Sequence, residues 1–172
     1  SASKRDSIIS IANNYGYLPK SNRCSTAQIS MIVPAGNSTS QTSTIAKYSP
    51  FRSSANGVEF AYYTRDDLIG NKLGTNYVFD TFTLYEGTPV IEKFNTLDDI
   101  EYVLQNDNID TSTIRIYVQP SLNTLSVEVY KYAENIINLN SNSKVFFVRE
   151  LEGGKYEIRF GKNNLGFEPE VG

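Results

Sequence analysis

The sequence contains no histidine and a single cysteine, Cys24. Histidine is the commonest general base near neutral pH and the commonest metal ligand. Without it, Ser-His-Asp catalysis, Cys-His catalysis and the usual zinc sites each lose a required member. One cysteine cannot make an intrachain disulfide, which fits assembly in a reducing compartment. Cys24 reads as a small packing residue beside a strand. Charge of one sign is scarce too. The net charge is −3 over 172 residues, with no polybasic or acidic run. Nothing is basic enough for a nucleic-acid footprint. No apolar stretch approaches the roughly 20 residues that a membrane-crossing helix needs, and no signal-peptide pattern opens the sequence. The expectation is a protein with no cofactor, no metal, no nucleic-acid partner and no membrane partner.

What the sequence does have points to β-structure. Tyrosine occurs 12 times and phenylalanine 9 times, and with many Val, Ile and Thr they favour strands. Hydrophobic residues make up 40% and charged residues 20%, a globular composition. A polypeptide of this length forms one domain, or one domain plus an arm, burying roughly 70% of the surface it exposes when unfolded.

The expected fold class is α+β, mainly antiparallel β: a β-sandwich-like domain with an N-terminal helix. Three regions are expected. Residues 1–36 carry the helix and a first strand packed on the rest. Residues 37–48 form a polar loop or linker. Residues 49–172 form the main β domain, read as cut from a longer subunit. In SKRDSIISIANNYGY, Ile8, Ile11, Ala12 and Tyr15 fall on one helical face. Ser3 can cap the helix with Asp6 as its reciprocal partner, and Gly16 and Pro19 end it. A helix this short is marginal alone. Its stripe must be covered by its own sheet or by a neighbouring subunit, which makes Ile8, Ile11 and Tyr15 candidate interface residues.

Strands follow. AQISMIV alternates through Ala27, Ile29, Met31 and Val33. VEFAYYT is a strand, RDDLIGNKLG a loop with two glycine turns, and NYVFDTFTLYEG a long strand. There, Tyr77, Phe79, Thr81, Thr83 and Tyr85 are expected on one face, with Val78, Phe82 and Leu84 on the other. VIEKFN begins the next strand. LDDIEYVLQ, residues 97–105, fits helix or strand, and the turn residues after it favour strand. STIRIYVQP alternates through Ile114, Ile116 and Val118, and LSVEVYKY through Leu125, Val127 and Val129. AENIINL reads as a helical turn. KVFFVRELEGGKYEIRFG is the clearest hairpin, because Gly153-Gly154 supplies positive-φ positions.

Candidate chemistry is thin. Adjacent acids such as Asp66-Asp67 and Asp98-Asp99 point to opposite faces of a strand and need only turn or cap roles. NDNID, residues 106–110, lacks the spacing of a calcium loop and reads as an Asx-rich turn. The glycines of EGGKYEIRFGKNNLG open no helix and so make no phosphate cradle. Tyr62, Tyr63, Tyr77 and Tyr85 could stack on sugars or bases, but aromatics in such strands more often form cross-strand pairs or core contacts.

The terminal stretch is the most specific. In FVRELEGGKYEIRFGKNNLGFEPEVG, Phe160 ends the row Tyr156, Ile158, Phe160. Gly161 and Gly166 let the backbone reverse around Asn163-Asn164, and Pro169 holds the exit extended. This stretch resembles the baseplate J-like superfamily, and in particular the baseplate wedge subunits of contractile-tailed bacteriophages. Arg5, Ile8, Ile11, Ala12, Tyr15-Gly16-Tyr17 and Pro19 resemble that family's entry helix. YVFDTFTLYEGTPVIEKF and NIDTSTIRIYV resemble its middle strands. The family usually has Phe-Gly-Asp-Gly where this sequence has Phe160-Gly161-Lys162-Asn163, so any role of that aspartate is lost. The resemblance implies a structural, non-enzymatic virion protein of the tail baseplate, assembled in the host cytoplasm. It would build a wedge or ring with other wedge proteins and a second copy of itself, and transmit rearrangement to sheath contraction. The alternative is a β-sandwich module that binds glycans or a host surface. A hydrolase with paired carboxylates is a further rival.

Overall fold

The computed structural model describes residues 21–96, 101–121, 123–133, 139–161 and 169. The expected N-terminal helix, most of the expected helical turn at 133–139, and the final reversal at 162–168 lie outside the described residues. What is described is mostly antiparallel β-structure in two sheets. The protein divides into two compact units. One is Cys24–Ile91, and the other joins Ser1–Arg23 to Glu92–Gly172.

The unit Cys24–Ile91 holds six strands: β1 (Thr26–Pro34), β2 (Thr42–Ile45), β3 (Pro50–Ala55), β4 (Val58–Tyr63), β5 (Leu68–Leu73) and β6 (Asn76–Glu86). β6 is the longest. β1 pairs along nearly all of one of its edges. β5 and β4 share the other edge, β5 at the start of β6 and β4 at its end. β2 and β3 extend the sheet from β5 and β4. The core gathers Ala35, Tyr77 and Phe79, with Met31, Ile45, Leu68 and Phe82 packed against them.

β6 departs from the simple alternation expected of it. Ile29 faces Phe82 and Met31 faces Phe79, so Ser30 alone opposes both Asp80 and Thr81. This is a β-bulge, which adds a residue and shifts the side-chain phase. Tyr77 and Phe79 are buried before it, and Leu84 is buried after it with Phe82 half-buried. Thr81, expected beside Tyr77 and Phe79, is exposed. The bulge therefore turns two out-of-phase apolar rows to the same side.

RDDLIGNKLG is likewise not a loop, because Leu68–Leu73 is strand β5. Gly74 has φ +62° and starts the turn into β6, but Gly70 lies within the strand and is buried. A Cβ at Gly70 would come within 2.6 Å of the Phe79 ring. The missing side chain leaves the space that this ring fills. The polar stretch 37–48 contains β2, and its loop is tied down. The Tyr77 hydroxyl donates to the Ser40 carbonyl at 3.0 Å and lies 2.7 Å from Ser38 Oγ. The Lys72 ammonium donates to the Ser38 carbonyl.

The second unit holds β7 (Tyr102–Leu104), β8 (Ile116–Val118), β9 (Glu128–Tyr132), β10 (Val145–Glu150) and β11 (Tyr156–Phe160), in the order β7-β11-β10-β9-β8. All pairs are antiparallel except β9 with β10, which is parallel. One sheet face carries the core of Leu104, Tyr130, Phe146, Val148, Tyr156 and Ile158. Ile109, Ile114, Ile116 and Val118 pack against it. The expected hairpin is present as β10–β11. Its connection is a five-residue loop from Leu151 to Lys155, in which Gly153 and Gly154 have φ +84° and +80°.

Two expectations fail here. The segment 90–95 forms no strand: Val90 and Ile91 are exposed. It is fixed by side chains instead. The Glu92 carboxylate accepts the Gln105 N–H at 3.1 Å, and the Phe94 ring meets Tyr102 edge-on at 5.7 Å. In β9 the buried residue is Tyr130, not the row Leu125, Val127 and Val129. Tyr130 packs edge-on against Phe160 at 5.2 Å, an arrangement favoured by the ring quadrupoles. Within LDDIEYVLQ, Tyr102–Leu104 is strand.

Tyr130 gives a pH-dependent expectation. Its hydroxyl is buried without a hydrogen bond among the described residues. Burial, and secondarily the Glu128 carboxylate, raise its pKa above the ordinary 10.0. A group whose folded pKa is raised stabilises the fold below its unfolded pKa, and that contribution is lost as pH climbs through the folded pKa. Urea midpoints should therefore fall with alkaline pH above about 10, and Tyr130→Phe should flatten that fall. At neutral pH the variant should equal or slightly exceed the native protein, since removing an unsatisfied buried hydroxyl costs little. A clear loss of stability at neutral pH would contradict this.

Candidate functional site

No constellation of reactive side chains stands out among the described residues, and the polar residues that looked suggestive have local work. Asp67 Oδ1 accepts the Lys47 N–H at 2.7 Å. Asn106 Oδ1 accepts the Asn108 N–H, and Asp110 Oδ1 accepts both the N–H and the hydroxyl of Ser112, capping a short 3-10 turn at Thr111–Thr113. The Asn106 and Asp110 bonds are an Asx turn and a cap, while the Asp67 bond ties the chain after β2 to the chain before β5. Asp98-Asp99 lies outside the described residues. Tyr63 faces Tyr85 across the β4–β6 pair, and both are half-buried. Arg65 lies over the Tyr85 ring at 4.9 Å, a cation–π contact.

The candidate interface residues Ile8, Ile11 and Tyr15 lie outside the described residues, as does Gly166. The other turn residues are described. Phe160 is half-buried between Tyr102 and Tyr130, edge-on to both. Gly161 is buried and donates its N–H to the Val145 carbonyl at 3.3 Å, so it prolongs the hairpin ladder. Pro169 is half-buried.

The candidate surface is on the β8–β9 hairpin. Tyr117 and Val129 stand directly opposite each other, so their side chains share the sheet face away from Tyr130. Val127 and Leu125, in the connection just ahead of β9, are exposed as well. Their exposures are 46% for Tyr117, 53% for Val129, 54% for Val127 and 101% for Leu125. Single exposed apolar residues need no explanation, whereas a contiguous set marks an interaction site. In LSVEVYKY the apolar row is Leu125, Val127 and Val129, while the other row carries Ser126 and Glu128 ahead of Tyr130 and Tyr132. Among the described residues of β9, Tyr130 is buried and Val129, on the opposite face, is exposed.

Sequence reasoning missed one further feature of this sheet. Glu157 is buried although it faces away from the Tyr156–Ile158 core. Arg159 Nε reaches its Oε2 at 2.9 Å, and Arg149 lies 3.8 Å away on the facing strand. Both arginine side chains are about half exposed, so the carboxylate is masked at the surface by two cations. Alternating charge in VRELEGGKYEIRF was the available signal. The sequence was also compared with protein-family models and with curated proteins, and neither comparison gives a match.

Proposed function

We propose that this protein is an architectural component of a contractile phage tail. It assembles through protein–protein contacts into a baseplate wedge or ring and passes rearrangement on to the sheath. Its partners in this reading are other wedge proteins and a second copy of itself, and its place is the virion. The chemistry is packing between subunits, not turnover. The N-terminal helix and a sandwich-like arrangement of sheets, both expected from the sequence pattern, belong to the same reading.

The observation that supports the assembly reading is the exposed apolar set Leu125, Val127 and Val129, with Tyr117 directly opposite Val129. Subunit interfaces centre on such apolar and aromatic groups, with charged residues kept to the rim. The rival, a glycan-binding module, requires coplanar exposed aromatics. Tyr62, Tyr63 and Tyr85, which could serve, are half-buried.

Light scattering and cross-linking test this, with and without other tail proteins. The native protein is expected to associate. Val127→Lys with Val129→Lys should weaken association by about 2 kcal/mol or more, roughly thirtyfold in Kd. Its urea midpoint should hardly move, because both positions are exposed. A native protein that stays monomeric and ignores other tail proteins would overturn the proposal. Saturable binding to a glycan panel would favour the rival.

A further inference from the structure

We propose that Asn56 is a site of spontaneous covalent modification, conversion to aspartate and isoaspartate, in the folded protein. It is the only asparagine in the sequence followed by glycine. Asn56 and Gly57 form the two-residue turn between β3 and β4, where Ala55 faces Val58. Both have positive φ, +52° and +78°, as a primed hairpin turn requires.

The chemistry needs a backbone nitrogen that can reach the preceding side-chain amide. Three features leave that attack unobstructed. Gly57 has no side chain to shield its nitrogen, and the space where a Cβ would stand is open. Both residues are exposed to water. The ladder bonds of the hairpin belong to the flanking Ala55 and Val58, and among the described residues neither the Asn56 amide nor the Gly57 N–H is held by a hydrogen bond.

The Gly57 nitrogen gives up its proton to solvent base and attacks Asn56 Cγ. The new bond from nitrogen to Cγ closes a five-membered imide. The bond between Cγ and Nδ2 breaks, releasing ammonia with a proton from solvent. Water then adds to one of the two imide carbonyls. Opening one way yields aspartate. Opening the other way yields isoaspartate, with an extra methylene in the backbone. Either product exchanges the amide nitrogen for oxygen and adds a negative charge. The isoaspartate also lengthens a turn whose register depends on having two residues, which loosens β3, an edge strand of its sheet.

The test is to incubate the whole folded protein in mildly alkaline buffer, with a parallel sample in urea, and to map both by peptide mass and isoaspartyl methyltransferase labelling. In the folded sample Asn56 should convert first and supply most of the modified material, and Asn56→Gln should remove that signal. Conversion led by another asparagine, conversion at Asn56 only in urea, or none at all would overturn the proposal.

Discussion

Phe146→Ala should destabilise the second unit by about 3–5 kcal/mol, the usual range for deleting a buried aromatic. Phe146 is only 1% exposed and lies at the centre of the core formed by Leu104, Tyr130, Val148, Tyr156 and Ile158. It faces Phe160 on β11 and Tyr132 on β9, whose ring centroid is 5.6 Å away. Truncation removes contacts on both sides and leaves a cavity framed by two strand ladders, which resist collapse. Domains are stable by only about 5–15 kcal/mol, so the loss is a large part of the total. Urea unfolding followed by circular dichroism measures it. Phe147→Ala is the control, because Phe147 is half-buried on the opposite face and should cost clearly less. Equal losses at the two positions would contradict the assignment of the core to one face.

Gly70→Ala should destabilise the other unit by about 1–3 kcal/mol through overpacking. The sign is the informative part. Alanine in place of glycine within a strand ordinarily gains about 0.5–1 kcal/mol. Here the new methyl would overlap the Phe79 ring, three of whose carbons lie 2.6–2.8 Å from the Cβ position. Phe79 is 2% exposed and has little room to retreat. Adding Phe79→Leu to Gly70→Ala should recover part of the loss, and a double-mutant cycle reads the coupling. A stabilised Gly70→Ala would show that the ring does not occupy this place.

These two residues mark what the sequence could and could not disclose. The β10–β11 hairpin was legible because both strands alternate cleanly and the Gly-Gly pair announces the turn. So was the row Ile114, Ile116 and Val118, which packs on the core as its spacing requires. Gly70 was misread because glycine ordinarily punctuates, and nothing local reveals an aromatic ring arriving from the next strand. β6 was misread because a bulge is set by the partner's register, which its own residues do not show. Asn56-Gly57 is among the strongest short-range hairpin signals, and the β3–β4 turn follows it. In LSVEVYKY the alternation favours burying Leu125, Val127 and Val129, because the other row holds Ser126 and Glu128. Burial of Tyr130 was decided by ring packing against Phe160, a contact across three strands. The surface row was therefore visible as a pattern, but its orientation was not.

The bulged strand β6 has a consequence for how the unit Cys24–Ile91 comes apart. β1 pairs along one side of it, β5 and β4 along the other, and β2 and β3 join its hydrogen-bond ladder only through those two, though Ile45 and Phe51 also pack on its side chains. Such wiring has a single hub, so peripheral strands can fray singly, but none can persist once the hub is lost. Slowest amide exchange should concentrate in β6 and the facing residues of β1, and should reach one common ceiling. A single peptide-bond cut within β6 should dissolve the whole unit, whereas a cut at the β3–β4 tip should leave the rest standing.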